Sequence, residues 1–474
     1  MAPASPDPNP GTRPVRFALI DKKPRGAIPL APLTGDALGI WLQTALASSK
    51  RWVESSGFSA KPDSHCLVPN GEGGLSAVLA GIQEPGDPFV LARLCSALPA
   101  GSYFLESDWD AALTARATVG WALGGYRFTR YKANQQEFAK LVIDPRCDAQ
   151  RIKDQVNAVF LVRDLVNTPA EDMMPEHLSE TIKDLARRFD AKVTECVGDA
   201  LVENNYPAIH AVGRASTHAP RLIDLQWGDA TNPKLTLVGK GVCFDTGGLD
   251  LKPSSNMRLM KKDMGGAAHA VGLAQLVMSA DLPVRLRLLV PAVDNAVSGS
   301  AYRPGDVLMT RKGLSVEIDN TDAEGRVILC DALAEGAAEQ PDLMMDFATL
   351  TGAARVALGT DVPALFCNQD GLAEGLMDAS QRVHDPIWRM PLYAPYKELL
   401  KSEIADLANA ASKPFGGAIT AALFLEAFVP PDVPWAHFDI MAWNLSDRPG
   451  RPVGGEAMAL RAVFEYLVER YRGA

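Results

Sequence analysis

Two short stretches of this sequence carry charged residues of the types that bind metal ions and activate water. The first, residues 235–252, is an apolar run that breaks into glycines and contains Lys240, Asp245 and Lys252. A further acid, Asp263, precedes an apolar stretch that predicts a helix. In open α/β sheets, ligands bind beyond the carboxyl ends of the strands. We therefore expect these four side chains, which follow a predicted strand, to lie at a binding site.

The second stretch, Asn-Thr-Asp-Ala-Glu-Gly-Arg at residues 320–326, carries Asp322, Glu324 and Arg326 at a spacing of two. In an extended segment this spacing places the three side chains on one side of the backbone. Two carboxylates that point the same way repel each other unless a cation lies between them. A helix predicted at residues 326–339 ends the segment.

Together with Asp263, the two stretches supply Lys240 and the four carboxylates of Asp245, Asp263, Asp322 and Glu324. Oxygen-rich sites with one nitrogen ligand suit Mg²⁺, Mn²⁺ or Zn²⁺ better than metals that prefer thiolates. Lysine binds a metal only as the neutral amine, so metal charge would have to lower the pKa of Lys240. A single lysine or acidic pair is more commonly a solvated surface feature, and the hypothesis of a metal site depends on the whole set.

The apolar pattern predicts the elements that must position these residues. Strands alternate with helices, which indicates an α/β protein with a mixed, mostly parallel sheet flanked by helices. The predicted strands are 222–226, 235–238, 284–290, 343–347, 364–367 and 436–440, and the predicted helices are 265–279, 326–339, 418–429 and 457–470.

The 474 residues are enough for two domains. Residues 1–14 contain five prolines and no apolar run, which predicts a disordered tail. Residues 15–150 predict a smaller N-terminal α/β domain, with a strand at 77–82 and a helix at 110–123. Residues 151–474, which begin with a predicted helix, then form the catalytic domain.

Composition excludes several classes of protein. The net charge of −10 argues against a mainly electrostatic nucleic-acid binder, because phosphate contacts need clustered Lys and Arg. The seven cysteines are widely spaced without a C-x-x-C pair, which indicates reduced thiols. No run reaches the roughly 18 apolar residues that a membrane helix needs. We therefore expect a soluble, cytoplasmic protein.

The strings at residues 238–248 (Val-Gly-Lys-Gly-Val-Cys-Phe-Asp-Thr-Gly-Gly) and 320–326 resemble the leucine aminopeptidase family of dinuclear metallo-exopeptidases. The spacing of the charged residues between 240 and 263 is similar to that of the family. Further similarity at residues 163–170, 302–307, 348–353 and 435–440 extends the resemblance over nearly all of 160–455. The resemblance implies a metal-dependent aminopeptidase that hydrolyses the N-terminal residue from peptides with a free N-terminus.

The resemblance also implies roles for individual residues. Two divalent ions, Mn²⁺ or Zn²⁺ with Mg²⁺ or Co²⁺ as alternatives, would be bound by Lys240, Asp245, Asp263, Asp322 and Glu324, with Asp245 and Glu324 bridging. Lys252 would stabilise the tetrahedral intermediate, and Arg326 would hold a bicarbonate as general base. The substrate-binding residues would be Met260, Asn320, Thr349, Leu350 and Gly352. Family members are typically homohexamers with a macrodomain-like N-terminal domain.

The same residues allow other interpretations. Asp245-Thr-Gly247 resembles the triplet of aspartic proteases, which need two such aspartates, and the sequence has no second triplet. A dinuclear phosphoesterase site would usually include histidines, which neither stretch contains. A protein with this fold that acts chiefly in binding or regulation, on DNA for example, need not keep all seven polar residues. His269, in an apolar helix, is expected to pack rather than to bind metal.

Overall fold

The computed structural model describes residues 18–132 and 137–473, so the predicted tail at 1–14 lies outside the described residues. These residues form two compact units, one of residues 18–160 with Ser446–Val453 and one of residues 161–445 with 454–473. The division falls at Phe160, inside a long helix. The boundary at residue 150 stays a prediction for the extent of the N-terminal domain.

The first unit is built on a sheet that is parallel except at one edge. Its strands are β1 (Leu19–Ile20), β2 (Ile28–Leu33), β3 (His65–Pro69), β4 (Leu75–Gly81), β5 (Ser102–Leu105) and β6 (Lys140–Val142). They pair in the order β1-β6-β5-β2-β4-β3, and only β3 and β4 are antiparallel. The strand predicted at 77–82 is confirmed as β4.

Helices accompany this sheet, as parallel strands require cover. They are α1 (Gly35–Thr44), α2 (Ala47–Ser55), α3 (Leu94–Ala97), α4 (Ala111–Gly124) and α5 (Ala149–Asn167). The carboxylate of Asp110 caps α4 by accepting a hydrogen bond from Leu113 N at 2.7 Å. Trp121 of α4 is fully buried, and its indole donates to the backbone oxygen of Ala18 at 3.0 Å. The helix predicted at 110–123 is therefore confirmed.

The second unit contains the larger, mixed sheet. The strands of this unit are β7 (Lys192–Val197), β8 (Arg221–Trp227), β9 (Lys234–Gly239), β10 (Gly241–Asp245), β11 (Arg285–Asn295), β12 (Val307–Met309), β13 (Ser315–Glu317), β14 (Leu343–Ala348), β15 (Ala364–Cys367), β16 (Trp388–Arg389), β17 (Leu407–Ala408), β18 (Trp435–Asp439), β19 (Trp443–Asn444) and β20 (Gly454–Gly455). Small separate sheets are formed by β12, β13 and β17 and by β19 and β20. The main sheet has the order β16-β15-β18-β14-β9-β11-β8-β7, with β10 beside β11. Its central strands β18, β14, β9 and β11 are parallel.

Helices cover both faces of the central strands. The helices of this unit are α6 (Pro175–Phe189), α7 (Ala200–Glu203), α8 (Pro207–Gly213), α9 (Ser254–Met257), α10 (Gly265–Ser279), α11 (Glu324–Ala337), α12 (Gly352–Leu358), α13 (Asp370–Val383), α14 (Gly417–Glu426) and α15 (Leu460–Arg472), with 3₁₀ turns at Ala170–Asp172, Met260–Met264 and Ala394–Leu400. α10 packs against Gly239 of β9, and α11 packs against Thr236 on the opposite face. Among the described residues, no helix combines the length and the apolar character needed to cross a membrane.

The six strands and four helices predicted for this unit are confirmed, most of them with shifted ends, whereas β15 and α10 match their predicted bounds. Two details were wrong. Residues 320–326 are not extended throughout, because α11 begins at Glu324 and not at Arg326. A carboxylate in the first helical turn is favourable, since it faces the positive end of the helix dipole. The glycine-rich segment after Gly239, predicted as irregular, also forms a strand, β10, which pairs with β11.

The close approach of α4 to the backbone at Pro88 gives a stability prediction. A Cβ on Gly120 would lie 1.7 Å from Pro88 O, whereas a Cβ on Gly39 of α1 would meet nothing within 4 Å. We expect Gly120→Ala to lower the free energy of unfolding by at least about 2 kcal/mol, because backbone must move to admit the methyl group. Gly39→Ala should instead raise it by about 0.5–1 kcal/mol. Urea titrations followed by tryptophan fluorescence measure both, and equal shifts in the two variants would contradict the packing argument.

Candidate active site

Lys240 stands where the chain changes from one strand partner to the next. β9 pairs with β14 as far as Gly239, and Lys240 N then donates to Phe347 O at 2.9 Å. The following strand β10 runs beside β11 and ends at Asp245. Both charged side chains are buried at the carboxyl ends of their strands. The predicted placement of the first stretch at strand ends is therefore confirmed for these two residues.

The ammonium of Lys240 lies between two buried carboxylates. Its Nζ is 2.7 Å from Asp263 Oδ2 and 3.0 Å from Glu324 Oε1, and it donates to Thr349 O at 3.1 Å. A Cβ on Gly325 would lie 2.7 Å from the same Nζ, so a glycine is needed next to Glu324. The 3₁₀ turn before α10 and the first turn of α11 thus place Asp263 and Glu324 beside the same lysine.

A second group of charges adjoins the first. Carboxylate oxygens of Asp245, Asp322 and Glu324 lie within 4.8 Å of one another. Lys252 Nζ is 2.8 Å from Asp245 Oδ2 and also pairs with Asp322. The other Asp245 oxygen, Oδ1, accepts hydrogen bonds from Gly247 N and Asn295 Nδ2, each at 2.8 Å. The structure therefore brings all five predicted metal ligands and Lys252 into one cluster.

The electrostatics of the cluster show an excess of negative charge. Burial and the carboxylate of Asp245 raise the pKa of Glu324 well above its ordinary value and that of Asp322 to about 6. Burial by itself would lower the pKa of Lys240, but Asp263, Glu324 and Asp245 outweigh it and hold this pKa above its ordinary value. The same balance raises the pKa of Lys252, through Asp245 and Glu324. Additional positive charge would stabilise this arrangement.

The donor atoms fit hard divalent cations. Asp263 Oδ2 and Glu324 Oε1 are buried and face Lys240 Nζ, at 2.7 and 3.0 Å, so this lysine offsets part of their negative charge. Among the described residues, the group that can hold a metal consists of carboxylates, without histidine or cysteine. Carboxylate oxygens are ligands that Mg²⁺, Mn²⁺ and Zn²⁺ accept, whereas soft metals prefer thiolates.

Arg326 follows Glu324 on α11 and presents a guanidinium with spare hydrogen-bond capacity. Its Nη1 donates to Asn409 O at 2.8 Å, and its buried Nε finds no partner among the described residues. Burial lowers the pKa of Arg326 to about 10, while Glu324 and Asp439 act in the opposite direction. A buried donor without an acceptor is costly, so a small anion is a fitting neighbour for this group.

Comparison with known proteins agrees with this geometry. The profile of the cytosol aminopeptidase family, catalytic domain, matches residues 160–464, and that of the M17 aminopeptidase N-terminal domain matches residues 28–144. The chain belongs to the cytosol aminopeptidase family. It is a hydrolase of the leucyl aminopeptidase type, and both of its domains follow the two-domain architecture of that family.

Individual members of the family are similar to this chain in both sequence and structure. A probable cytosol aminopeptidase of Roseiflexus castenholzii is 40% identical over 381 residues, which are 77% of this chain and 78% of that protein. The crystal structure of the cytosol aminopeptidase from Coxiella burnetii superposes on this chain with a TM-score of 0.93 at 52% sequence identity. The match covers 96% of this chain and 100% of the Coxiella chain. The bottromycin maturation enzyme BotP, in a structure described as a complex with Mn, gives a TM-score of 0.83 at 34% identity, covering 93% of this chain and 98% of its own.

In this member of the aminopeptidase family, the residues expected to bind substrate lie next to the charged cluster or in the segments that carry it. Met260 shares a 3₁₀ turn with Asp263, and Thr349 Oγ1 donates to Asp263 Oδ1 at 2.9 Å. Leu350 follows directly, and Gly352 begins α12 with an exposed backbone. Asn320 differs from the others, because its side-chain oxygen accepts a hydrogen bond from Asp322 N at 2.8 Å and so shapes the turn before α11.

Several supporting residues of the site were not predicted. Asn295 bridges Asp245 and Thr321 O, and Tyr302 OH donates to the same Thr321 O at 2.7 Å. Asp439 accepts hydrogen bonds from the backbone of Leu350 and from Thr351. Asn295 ends the apolar strand β11, and a polar residue at that point is the signal that could have identified it. His269, expected to pack, is indeed buried, with Nδ1 on Gly265 O and Nε2 accepting from Met458 N.

The position of Lys240 between two carboxylates gives a prediction for the chelated protein. Lys240→Met should lower the free energy of unfolding by roughly 3–5 kcal/mol, because it leaves Asp263 and Glu324 buried without their counter-charge. Their folded-state pKa values then lie above the unfolded values, so this loss should shrink as the pH falls from 8 to 5 and the carboxylates take up protons. Thermal unfolding in EDTA measures both effects. The control Lys312→Met removes an exposed lysine whose Nζ donates to Ala427 O, and an equal effect there would refute the argument.

Proposed function

We propose that this chain hydrolyses the N-terminal residue from peptides with a free N-terminus, in a reaction that depends on two divalent metal ions. The observation that carries the proposal is the meeting of four buried or partly buried carboxylates with Lys240 and Lys252 at the ends of β9 and β10. Membership of the cytosol aminopeptidase family supports the same reaction class.

The metal ligands that we propose are Lys240, Asp245, Asp263, Asp322 and Glu324. Two divalent ions bound there would supply a water of lowered pKa and a polarised peptide carbonyl. Mn²⁺ or Zn²⁺ are our first candidates, with Mg²⁺ or Co²⁺ as alternatives, and the related BotP complex with Mn supports manganese. Because Lys240 is an ammonium paired with Asp263 and Glu324, it must release a proton before its nitrogen can serve as a ligand.

Lys252 is the proposed stabiliser of the tetrahedral intermediate. Asp245 and Asp322 keep its ammonium charged and fix its Nζ at the edge of the carboxylate cluster. From there it can donate a hydrogen bond to the substrate oxygen as negative charge develops on that atom. A donor that is already oriented needs no reorganisation during the reaction, which is why such contacts lower barriers effectively.

Arg326 is proposed to hold bicarbonate, whose oxygens can accept a proton and return it. The unpartnered Nε and the buried position of the guanidinium support an anion at this place. The described cluster contains no histidine that could take the role of general base. We propose further that Met260, Asn320, Thr349, Leu350 and Gly352 form the substrate-binding residues beside it.

Two proposals concern the protein beyond its site. We propose a homohexamer, by analogy with the family. We also propose a cytoplasmic location, which the state of the cysteines supports: all seven are free and most of them are buried. Reduced thiols in this number are typical of a reducing compartment.

Metal dependence is the direct test of the proposed function. Chelated protein should not hydrolyse aminoacyl-p-nitroanilides, added Mn²⁺ or Zn²⁺ should restore cleavage, and N-acetylated substrates should stay intact.

Metal binding should also stabilise the fold. Mn²⁺ at a hundredfold excess over Kd should raise the free energy of unfolding by about 3 kcal/mol. The Mn²⁺ needed for this effect should fall between pH 7 and pH 9, since Lys240 must lose its proton. Asp245→Asn, which keeps the side-chain shape, should abolish the stabilisation, and full activity in EDTA would overturn the proposal.

The role of Lys252 can be separated from metal binding. Lys252→Ala should reduce kcat by about 10²–10³, because it removes the donor for the developing negative charge. Stabilisation by Mn²⁺ should persist in this variant, since Lys252 is not a proposed ligand. Lys401→Ala, at an exposed lysine paired with Glu398, is the matched control and should keep its kcat. A Lys252→Ala enzyme with normal kcat would remove this residue from the reaction.

A further inference from the structure

Lys262 is a buried lysine next to the cluster that the proposed reaction does not use. It is only 3% exposed, and its Nζ donates no hydrogen bond within the described chain. Its nearest carboxylate oxygen is Asp263 Oδ1, at a loose 3.9 Å. That oxygen also accepts the hydrogen bond of Thr349 Oγ1, whereas Lys240 takes the opposite oxygen, Oδ2. Lys262 therefore lies on the Thr349 side of Asp263, toward the proposed substrate-binding residues.

A second cation borders the same region. Arg355, in the last turn of the short helix α12, has a guanidinium nitrogen 3.3 Å from the position that a Cβ on Gly352 would occupy. Its Nη1 donates to Met441 Sδ at 3.2 Å, and a thioether sulfur is a weak acceptor. Within the described residues, no carboxylate lies within ion-pair distance of Arg355. Both cations border the loop from Thr349 to Gly352, because Lys262 and Thr349 meet the same oxygen of Asp263 and Arg355 lies beside Gly352.

The acidic groups of this region are already engaged. Asp263 is a proposed metal ligand and pairs with Lys240. Both oxygens of Asp439 accept hydrogen bonds from the loop before α12. Oδ1 accepts from Leu350 N and Thr351 N at 3.1 Å, and Oδ2 accepts from Thr351 Oγ1 at 2.6 Å. A buried cation without a close partner is unfavourable. The charges of Lys262 and Arg355 are therefore suited to one more anionic group, beside Met260 in the 3₁₀ turn and Met441 at Arg355.

We propose that Lys262 and Arg355 bind the side-chain carboxylate of an N-terminal aspartate or glutamate, so that this chain prefers peptides beginning with an acidic residue. The inference rests on the proposed aminopeptidase function and specifies its substrate class. Guanidinium and ammonium groups bind carboxylates through charge-assisted hydrogen bonds, which are stronger than neutral ones. Met260 and Met441 supply a flexible apolar lining that accommodates the methylene groups of either acid.

The test compares kcat/KM of the full-length, Mn²⁺-loaded protein on p-nitroanilides of aspartate, asparagine, glutamate, leucine and arginine. Aspartate and asparagine have the same shape, so their ratio isolates the charge. The unaltered protein should favour aspartate by about tenfold or more, the range expected for a hydrogen bond to a charged group. Lys262→Met and Arg355→Met should each bring the ratio close to unity. Arg355→Glu should reverse the preference and raise the relative cleavage of the arginine substrate.

Lys261→Met is the matched control for Lys262→Met. Lys261 carries the same charge one residue away, but its Nζ donates to Asn167 O at 2.6 Å and lies over the Trp443 ring, so its removal should leave the aspartate-to-asparagine ratio unchanged. If Lys262→Met fails to fold, Arg355→Glu still decides the question, because Arg355 is half-buried on a helix. Efficient cleavage of leucine with no preference for aspartate would overturn this inference and leave the proposed function standing. No cleavage of any substrate would overturn the proposed function, and this inference with it.

Discussion

The crowding of acidic oxygens at the ends of β9 and β10 is the constraint on which the rest of the site depends. Asp245, Asp322 and Glu324 lie close together, and Asp263 joins them through Lys240. Burial strengthens their mutual repulsion, because the protein interior screens charge less than water does. Two lysines hold the group together, and further cations would hold it more strongly. Clustered carboxylates of this kind lower the free energy of unfolding and are found mainly at functional sites, which is consistent with membership of a hydrolase family.

The sheet makes this crowding possible by the way in which its strands are joined. β9 lies between β14 and β11, and the chain leaves it at Gly239 to form β10 beside β11. Lys240 lies at that change of partner, and its side chain reaches Asp263 in the turn before α10 and Glu324 at the start of α11. Gly325 is required there because a larger residue would meet the lysine side chain. The α/β layers thus place groups from three elements within hydrogen-bond distance.

A layer of neutral and paired groups holds the charged residues in position. Asn295 and Tyr302 fix the turn that carries Asp322, through Thr321 O. Behind the loop at Thr349, His437 Nδ1 lies 2.6 Å from Asp346 Oδ1, and Trp435 donates to the other oxygen of Asp346 at 2.8 Å. Burial lowers the pKa of His437, but the Asp346 carboxylate outweighs it and raises this pKa above its ordinary value. These buried pairs restrict the movement of β14 and β18 and therefore of the loop that borders the site.

The sequence by itself determined the chemistry of the site and most of the elements that carry it. Lys240, Asp245 and Asp263 were identified because glycines break an apolar strand and an apolar helix follows, which are local features. The same reasoning placed α10 within its observed bounds but missed β10 and the start of α11, since both depend on neighbours distant in sequence. Only the tertiary structure decided that Lys252 meets Asp322, that Asn295 supports Asp245, and that Lys262 and Arg355 face the same region. The physical reason is that these contacts follow from the order of strands in the sheet, which residue spacing does not encode.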